Sequence, residues 1–257
     1  MLNVQYSILC NYPSIVSKDC LTLGILFHDR TNNICEFKII KKWQRLKAFN
    51  DELDIDIVKL QLEAIKEEVQ ESASKGNFNL KDYTKFYVNE LKFTEVVSID
   101  IDEDFQDFIN ACIRQYMPLD LEKGKRPNNK EQIEFIKYTM KNSNISYNKG
   151  NVTGYFNESL KFDFIIDDYA FKVFKFENKD ENSMIRNVKK WAYDAYKLSN
   201  DYKVVFVTDI DFSSGEYNIL YNILKEESAK LITFVDVISF IQNLNIKTRE
   251  NIVLRCN

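Results

Sequence analysis

Arg186, Lys189, Lys190 and Lys197 recur at intervals of three, four and seven residues, the spacing that sets side chains on one face of a helix. Trp191 and Tyr193 lie among them. Cations and aromatic rings on one surface suit phosphate contacts, which need only positive charge at the right depth. The solvated side of an amphipathic helix has the same composition. A second basic group, Lys123, Lys125 and Arg126, surrounds Gly124 and precedes Pro127. It reads as a strap beside a phosphate backbone or as a solvated connector. Carboxylates cluster elsewhere. Asp51, Glu52, Asp54 and Asp56 form one group, and Asp100 to Asp107, with Asp102 and Asp104, form another. Together they would supply a negative field for a basic protein surface.

Other chemistries lack their residues. The chain has no Gly-rich phosphate loop and no GxSxG, and His28 is its single histidine. A triad would have to use it, yet it ends a hydrophobic run beside Asp29 and Arg30, where a turn residue is the expectation. The five cysteines, Cys10, Cys20, Cys35, Cys112 and Cys256, are odd in number, widely spaced and without CxxC. Buried free thiols in a reducing cytosol are expected, not a disulfide framework or a zinc knuckle. Met1–Cys10 lacks a basic n-region and a cleavage pattern, and no apolar run nears the ~20 residues that cross a bilayer. A cytoplasmic protein without membrane contact is expected. Residues 1–120 carry 14 Lys/Arg against 20 Asp/Glu, and residues 121–257 carry 21 against 19. A polyanion would therefore meet the second half.

The elements that must hold these residues follow from periodicity. Strand-like runs cover Val4–Asn11, Leu21–His28 and Ile34–Ile40, with turn chemistry at Arg30–Asn33. Ile55, Val58, Leu62, Ile65 and Val69 form a helical stripe, closed by Lys75-Gly76-Asn77. A strand over Phe93–Ile99 precedes a helix that opens with Asp102-Glu103-Asp104 and buries Phe105, Ile109, Cys112 and Tyr116. The expected fold class is α/β: an α+β domain over 1–118, a linker over 119–127 and a mixed-sheet domain over 128–257. In the second domain a helix capped by Asn128 and Glu131 leads to strands Val152–Phe156, Leu160–Ile166 and Ala170–Phe176. A long helix through Met184, Val188, Trp191, Ala195 and Leu198 then leads to strand Lys203–Thr208. A helix at 216–227, a strand at 231–234 and a helix at 235–244 complete the order.

That order of helix, three strands, helix and strand resembles the PD-(D/E)XK nuclease core. The resemblance implies an Asp on the second strand and a (D/E)-x-K pair on the third. Residues two apart on a strand share a face, so two acids can hold a divalent metal while the Lys orients the attacking water. Asp163 takes the second-strand position. Lys175 matches the Lys, but Val173 stands where the acid belongs, and the alternative register, Lys172, is preceded by Ala170. Asp167, Asp168 or Glu177 could replace the missing ligand, and Glu131 or Glu134 could add another. No metal site is assigned. No cofactor is implied beyond Mg²⁺ held weakly by Asp163 and water.

Gly154-Tyr155-Phe156, Lys161-Phe162-Asp163-Phe164 and Asn178, over roughly 150–240, resemble bacterial and phage proteins grouped as domain of unknown function 1829. Tyr6-Ser7-Ile8-Leu9, Leu23-Gly24-Ile25-Leu26-Phe27 and Leu62-Glu63-Ala64-Ile65 resemble domain of unknown function 3037, over nearly all of 1–117. Thr22-Leu23-Gly24-Ile25 stands where that group has Asn-Val-Gly-Val. The leading expectation is a nucleic-acid-associated protein with a degenerate, non-catalytic nuclease-like domain, set in phage–host conflict. Asp163 and Lys175 mark its vestigial centre, and Arg186, Lys189, Lys190, Lys125 and Arg126 its contacts. The alternative is an inhibitor or adaptor of a nucleic-acid enzyme, docking through Asp54, Asp56, Asp102 and Asp104. An active metal-dependent nuclease is the third reading.

Overall fold

A computed structural model of the chain describes residues 1–13, 20–76, 78–174, 181–208 and 218–245. The fold is α/β and divides into two compact units, Met1–Pro127 with Ile238–Asn257, and Asn128–Val237.

In the first unit, β1 (Leu2–Asn11), β2 (Leu21–Asp29) and β3 (Ile34–Ile39) form an antiparallel meander. The turn after β2 is made by Asp29, whose carboxylate accepts from the Thr31 backbone (2.9 Å) and the Asn32 amide (2.7 Å). Asn33 completes it at φ 54, a conformation Asn tolerates better than most residues. Next come α1 (Trp43–Phe49), α2 (Ile55–Ser74) and α3 (Leu80–Thr84). The free edge of β1 then takes two short strands, β4 (Leu91–Phe93) and β5 (Val97–Ile101). The single strand expected over Phe93–Ile99 is therefore split. Thr94 marks the break: its hydroxyl accepts from Ile8 N (3.0 Å) and its carbonyl from the Ser7 hydroxyl (2.6 Å), so β1's polar groups stay satisfied through the gap.

Helix α4 (Phe105–Tyr116) sets Phe108 and Tyr116 against Tyr6 and Phe27 of the sheet. The Tyr6 and Tyr116 hydroxyls meet at 3.0 Å, which satisfies both in an apolar core. Cys10, Cys35 and Cys112 are buried free thiols. Burial pushes the Cys35 thiol up to about 12 and raises that of Cys112. His28 lies inside β2, not in a turn. It is buried, its Nε2 sits 3.2 Å from the Asn33 amide oxygen, and Phe78 packs edge-on against its ring. Burial lowers its imidazole pKa and so favours the neutral form.

The expected linker over 119–127 is tied to the first unit. Asp120, in a short 3₁₀ turn, accepts from the Lys41 and Lys42 backbones at 2.6 and 3.1 Å, and the Lys42 ammonium bonds the Leu119 and Leu121 carbonyls. Residues 238–245 also belong to the first unit, although the second domain was expected to run to residue 257. In the helix over 237–245, Gln242 exchanges two hydrogen bonds with the Ser98 backbone, and Asn243 bonds Glu95. Polar side chains beside the exposed edge of β5 carry no periodic signal, so pattern alone could not assign this helix.

The second unit opens with α5 (Asn129–Asn142), whose Asn128–Glu131 capping box is present. A four-stranded mixed sheet has the order β11-β10-β9-β8. Strand β8 (Phe164–Ile166) is antiparallel to β9 (Tyr169–Phe174), whereas β10 (Lys203–Thr208) is parallel to β9 and to β11 (Lys230–Thr233). Helices α6 (Glu181–Leu198) and α7 (Asn218–Glu227) make the crossovers that parallel strands require. Strand β10 is buried along Val204–Val207, as an interior parallel strand should be. Ala170, Phe174, Val204 and Phe206 meet Val188, Trp191 and Ala195 of α6 in one core.

Leu160–Ile166 is not one strand. Its first part, β7 (Ser159–Lys161), pairs with β6 (Asn151–Thr153), and its last part is β8. The kink has a traceable cause. Phe162 N donates to Gly150 O at 2.7 Å, and the next pairing is Asn148 with Ile165. Lys149 alone therefore opposes both Asp163 and Phe164, which is a β-bulge. A Cβ on Gly150 would lie 2.0 Å from the Phe162 carbonyl oxygen, so only glycine fits. Gly150→Ala should cost about 1–3 kcal/mol, the usual range for overpacking, read as a lower denaturant midpoint. Gly124→Ala, where the added carbon meets nothing within 4 Å, should stay within about 0.5 kcal/mol of the parent.

Candidate functional site

The bulge aims Asp163 at β9. Its backbone N–H donates to Phe171 O (2.8 Å), and its carboxylate accepts from Val173 N (2.7 Å). Lys172 stands opposite, with its ammonium 3.5 Å from the other carboxylate oxygen. The same ammonium bonds Lys161 O (3.1 Å) and lies over the Trp191 ring, 4.7 Å from its centroid. Trp191 packs edge-on against Phe162. Asp163 is thus joined to the Lys of the alternative register. Lys175 and Glu177 lie outside the described residues.

The carboxylates considered as replacement ligands have other partners or lie elsewhere. Asp168 pairs with Lys203 at 2.8 Å, and Asp167 holds the β8–β9 turn at φ 51. Both lie beyond the three residues of β8 from Asp163, and the four steps from 163 to 167 span roughly 13 Å at about 3.3 Å per residue. Glu131 accepts from Asn128 N in the capping box, and Glu134 pairs with Lys137. Among the described residues, no group of three or more His, Cys, Asp or Glu could hold a metal ion. As built, the Asp163 carboxylate neutralises a cation and accepts one backbone N–H, a positioning role.

The basic candidates on α6 fall on one stripe. Arg186, Lys189 and Lys190 are exposed, and neither Arg186 nor Lys189 forms an ion pair with any described carboxylate. Helix α2 behaves differently: Lys59–Asp56, Lys66–Glu63 and Lys75–Glu71 pair along its own surface. The expectation for a merely solvated helix face is α2, with charges answered within the helix. The α6 stripe keeps net positive charge.

Sequence reasoning set Tyr193 on this surface but missed Tyr155, Phe156 and Tyr196, and Trp191 is buried in the core instead. Tyr155 and Phe156, 63% and 68% exposed, project from the β6–β7 turn, which Gly154 and Glu158 close. Tyr193 and Tyr196 project from α6, further along the basic stripe. Phe156 lies parallel to Tyr193 within 9°, with centroids 6.2 Å apart. The Lys197 ammonium sits 4.6, 5.6 and 5.4 Å from the Tyr155, Tyr193 and Tyr196 rings. The available signal was aromatic residues at positions where an amphipathic helix places polar ones. Beside them Asp194 is buried, with one oxygen that finds no hydrogen bond. Desolvation raises its pKa; Lys190 opposes that shift and Glu158 adds to it.

The remaining candidates lie in the first unit. Lys125 pairs with Glu122 at 3.0 Å, and Arg126 is half-buried. Asp54 caps α2 and Asp104 caps α4, each accepting backbone N–H bonds, and Asp56 pairs with Lys59. Carboxylates at helix N-termini satisfy orphan donors and oppose the helix dipole, so these three have local structural uses. Asp102 is exposed.

Residues 6–95, within the first unit, match a family model described as Protein of unknown function (DUF3037). This supports the resemblance noted for the N-terminal domain. No curated protein and no solved structure matches the chain. Among the described residues, no helix is long and apolar enough to cross a membrane.

Two substitutions test the electrostatics. Asp163→Ala strips Val173 N of its acceptor and Lys172 of its counter-charge. It should cost about 1–3 kcal/mol, the range for leaving a part-buried donor unmet, measured by urea unfolding. At Asp194 the sign is reversed. Its folded pKa is raised, so the folded state binds the proton more tightly, and stability falls as pH rises above the ordinary 3.8. Asp194→Asn should raise the denaturation midpoint at pH 7. The gain should shrink as pH falls back toward 3.8.

Proposed function

We propose that this chain is a nucleic-acid-associated protein whose second unit is a degenerate nuclease-like module that binds and does not cut. The observation that carries the reading is the α6 stripe, where Arg186 and Lys189 project with no described carboxylate to answer them. Uncompensated cations along one surface are what phosphate backbones select. The mixed sheet, with one antiparallel strand beside parallel ones and α6 as the crossover, is compatible with the nuclease-like resemblance. Among the described residues its centre has no second acid to complete a metal site. Val173 presents a backbone N–H where a second metal-binding acid would stand, and Asp163 is already held by that N–H and by Lys172. A metal there would have to displace a bonded ammonium and then coordinate mostly water, a poor start for activating a nucleophile.

Anisotropy titrations with a labelled oligonucleotide should give binding that weakens steeply with salt. Neutralising Arg186, Lys189 and Lys190 together should lower the slope of log K against log salt by about 2–3, one counterion-release unit per lost contact. With Mg²⁺ or Mn²⁺, no cleavage that depends on Asp163 is expected. Cleavage abolished by Asp163→Ala would overturn the non-catalytic part of the proposal. Absence of binding at about 50 mM salt would overturn all of it. A stoichiometric protein partner captured through Asp54, Asp56, Asp102 and Asp104 would replace it with the inhibitor reading.

A further inference from the structure

The stripe on α6 changes character along its length. Arg186, Lys189 and Lys190 occupy its first part, and Tyr193, Tyr196 and Lys197 its second. From residue 186 to 193 the helix rises roughly 10 Å, about three stacked nucleotides at about 3.4 Å each. Beside the second part the β6–β7 turn adds Tyr155 and Phe156, so four exposed aromatic rings cluster there, three of them around one ammonium and the fourth, Phe156, stacked on Tyr193. Exposing four such rings together is costly unless something covers them.

The chemistry of the cluster selects its occupant. The Lys197 ammonium already fills the space between the tyrosine rings, so a cationic ligand would meet a filled cage. Carboxylates stand at the aromatic end, with Asp194 buried beside Tyr193 and Glu158 closing the turn under Phe156. Phosphates are therefore drawn to the Arg186–Lys190 end, while flat uncharged groups suit the rings. A ligand with a phosphate backbone on one side and free π-faces on the other is a single strand. A duplex hides its base faces in the stack. Resting on the nucleic-acid reading above, we infer that Tyr155, Phe156, Tyr193 and Tyr196 form a stacking platform for unpaired bases, which makes the ligand single-stranded nucleic acid.

Three fluorescent probes of equal length separate the contributions: a dT 12-mer, an abasic strand with the same phosphates, and a duplex. The dT strand should bind about tenfold tighter than the abasic strand, and tighter than the duplex. The double variant Tyr193→Ala/Tyr196→Ala should weaken dT binding about tenfold, while abasic binding stays unchanged. Tyr193→Phe/Tyr196→Phe, which keeps the rings, should bind dT like the parent. Both pairs are on the surface, and unchanged thermal melts would show that they fold. Equal affinity for the dT and abasic strands would overturn the stacking platform and leave the nucleic-acid reading standing. Failure of all three probes to bind would overturn both. Preference for the duplex, unaffected by the tyrosine changes, would assign the surface to backbone contacts alone and also overturn the inference.

Discussion

The second unit depends on a side chain that is not there. At Gly150 the backbone runs so close to the Phe162 carbonyl that a single added carbon would overlap it. That approach lets the ribbon of β6 and β7 bend into the sheet through a bulge. The bend turns Phe162 beneath Trp191 and brings the Asp163 carboxylate to the Val173 N–H. Without it, Leu160–Ile166 would run straight, alternation would continue through residue 163, and the β6–β7 turn would not lie beside α6.

Lys172 shows how a single strand lysine can be held by structure from several sides. Its ammonium is shared between a carboxylate, a carbonyl oxygen and an indole face. Each contact is modest alone. Together they fix the cation between β7, β9 and α6. The polar groups at this centre are largely satisfied by one another, whereas those on the α6 surface are not. The difference moves attention from the sheet interior to the helix face.

Much of the fold was legible because periodic burial writes itself into sequence. The α2 stripe Val58, Leu62, Ile65 and Val69, the capping box at Asn128 and Glu131, and the strand Lys203–Thr208 all stand where spacing and residue type put them. The failures share a cause. Thr94 splits one strand, Asp163 bends another, and Gln242 anchors a helix through hydrogen bonds between distant residues. Such bonds leave no local period. Of the site, the cations could be read from helical spacing. Tyr155 and Phe156 could not, because their closeness to Tyr193 arises only once the bulge has turned the hairpin.

The distribution of sulfur has a use of its own. The four cysteines among the described residues, Cys10, Cys20, Cys35 and Cys112, fall in the first unit, and the span Asn128–Val237 has none. Cys10, Cys35 and Cys112 are buried among apolar side chains, and burial disfavours the thiolates of Cys35 and Cys112. Only the thiolate is nucleophilic. Alkylation of those two must therefore wait for the first unit to open. The chain thus carries an intrinsic clock for the opening of one unit, silent to whatever the other unit does.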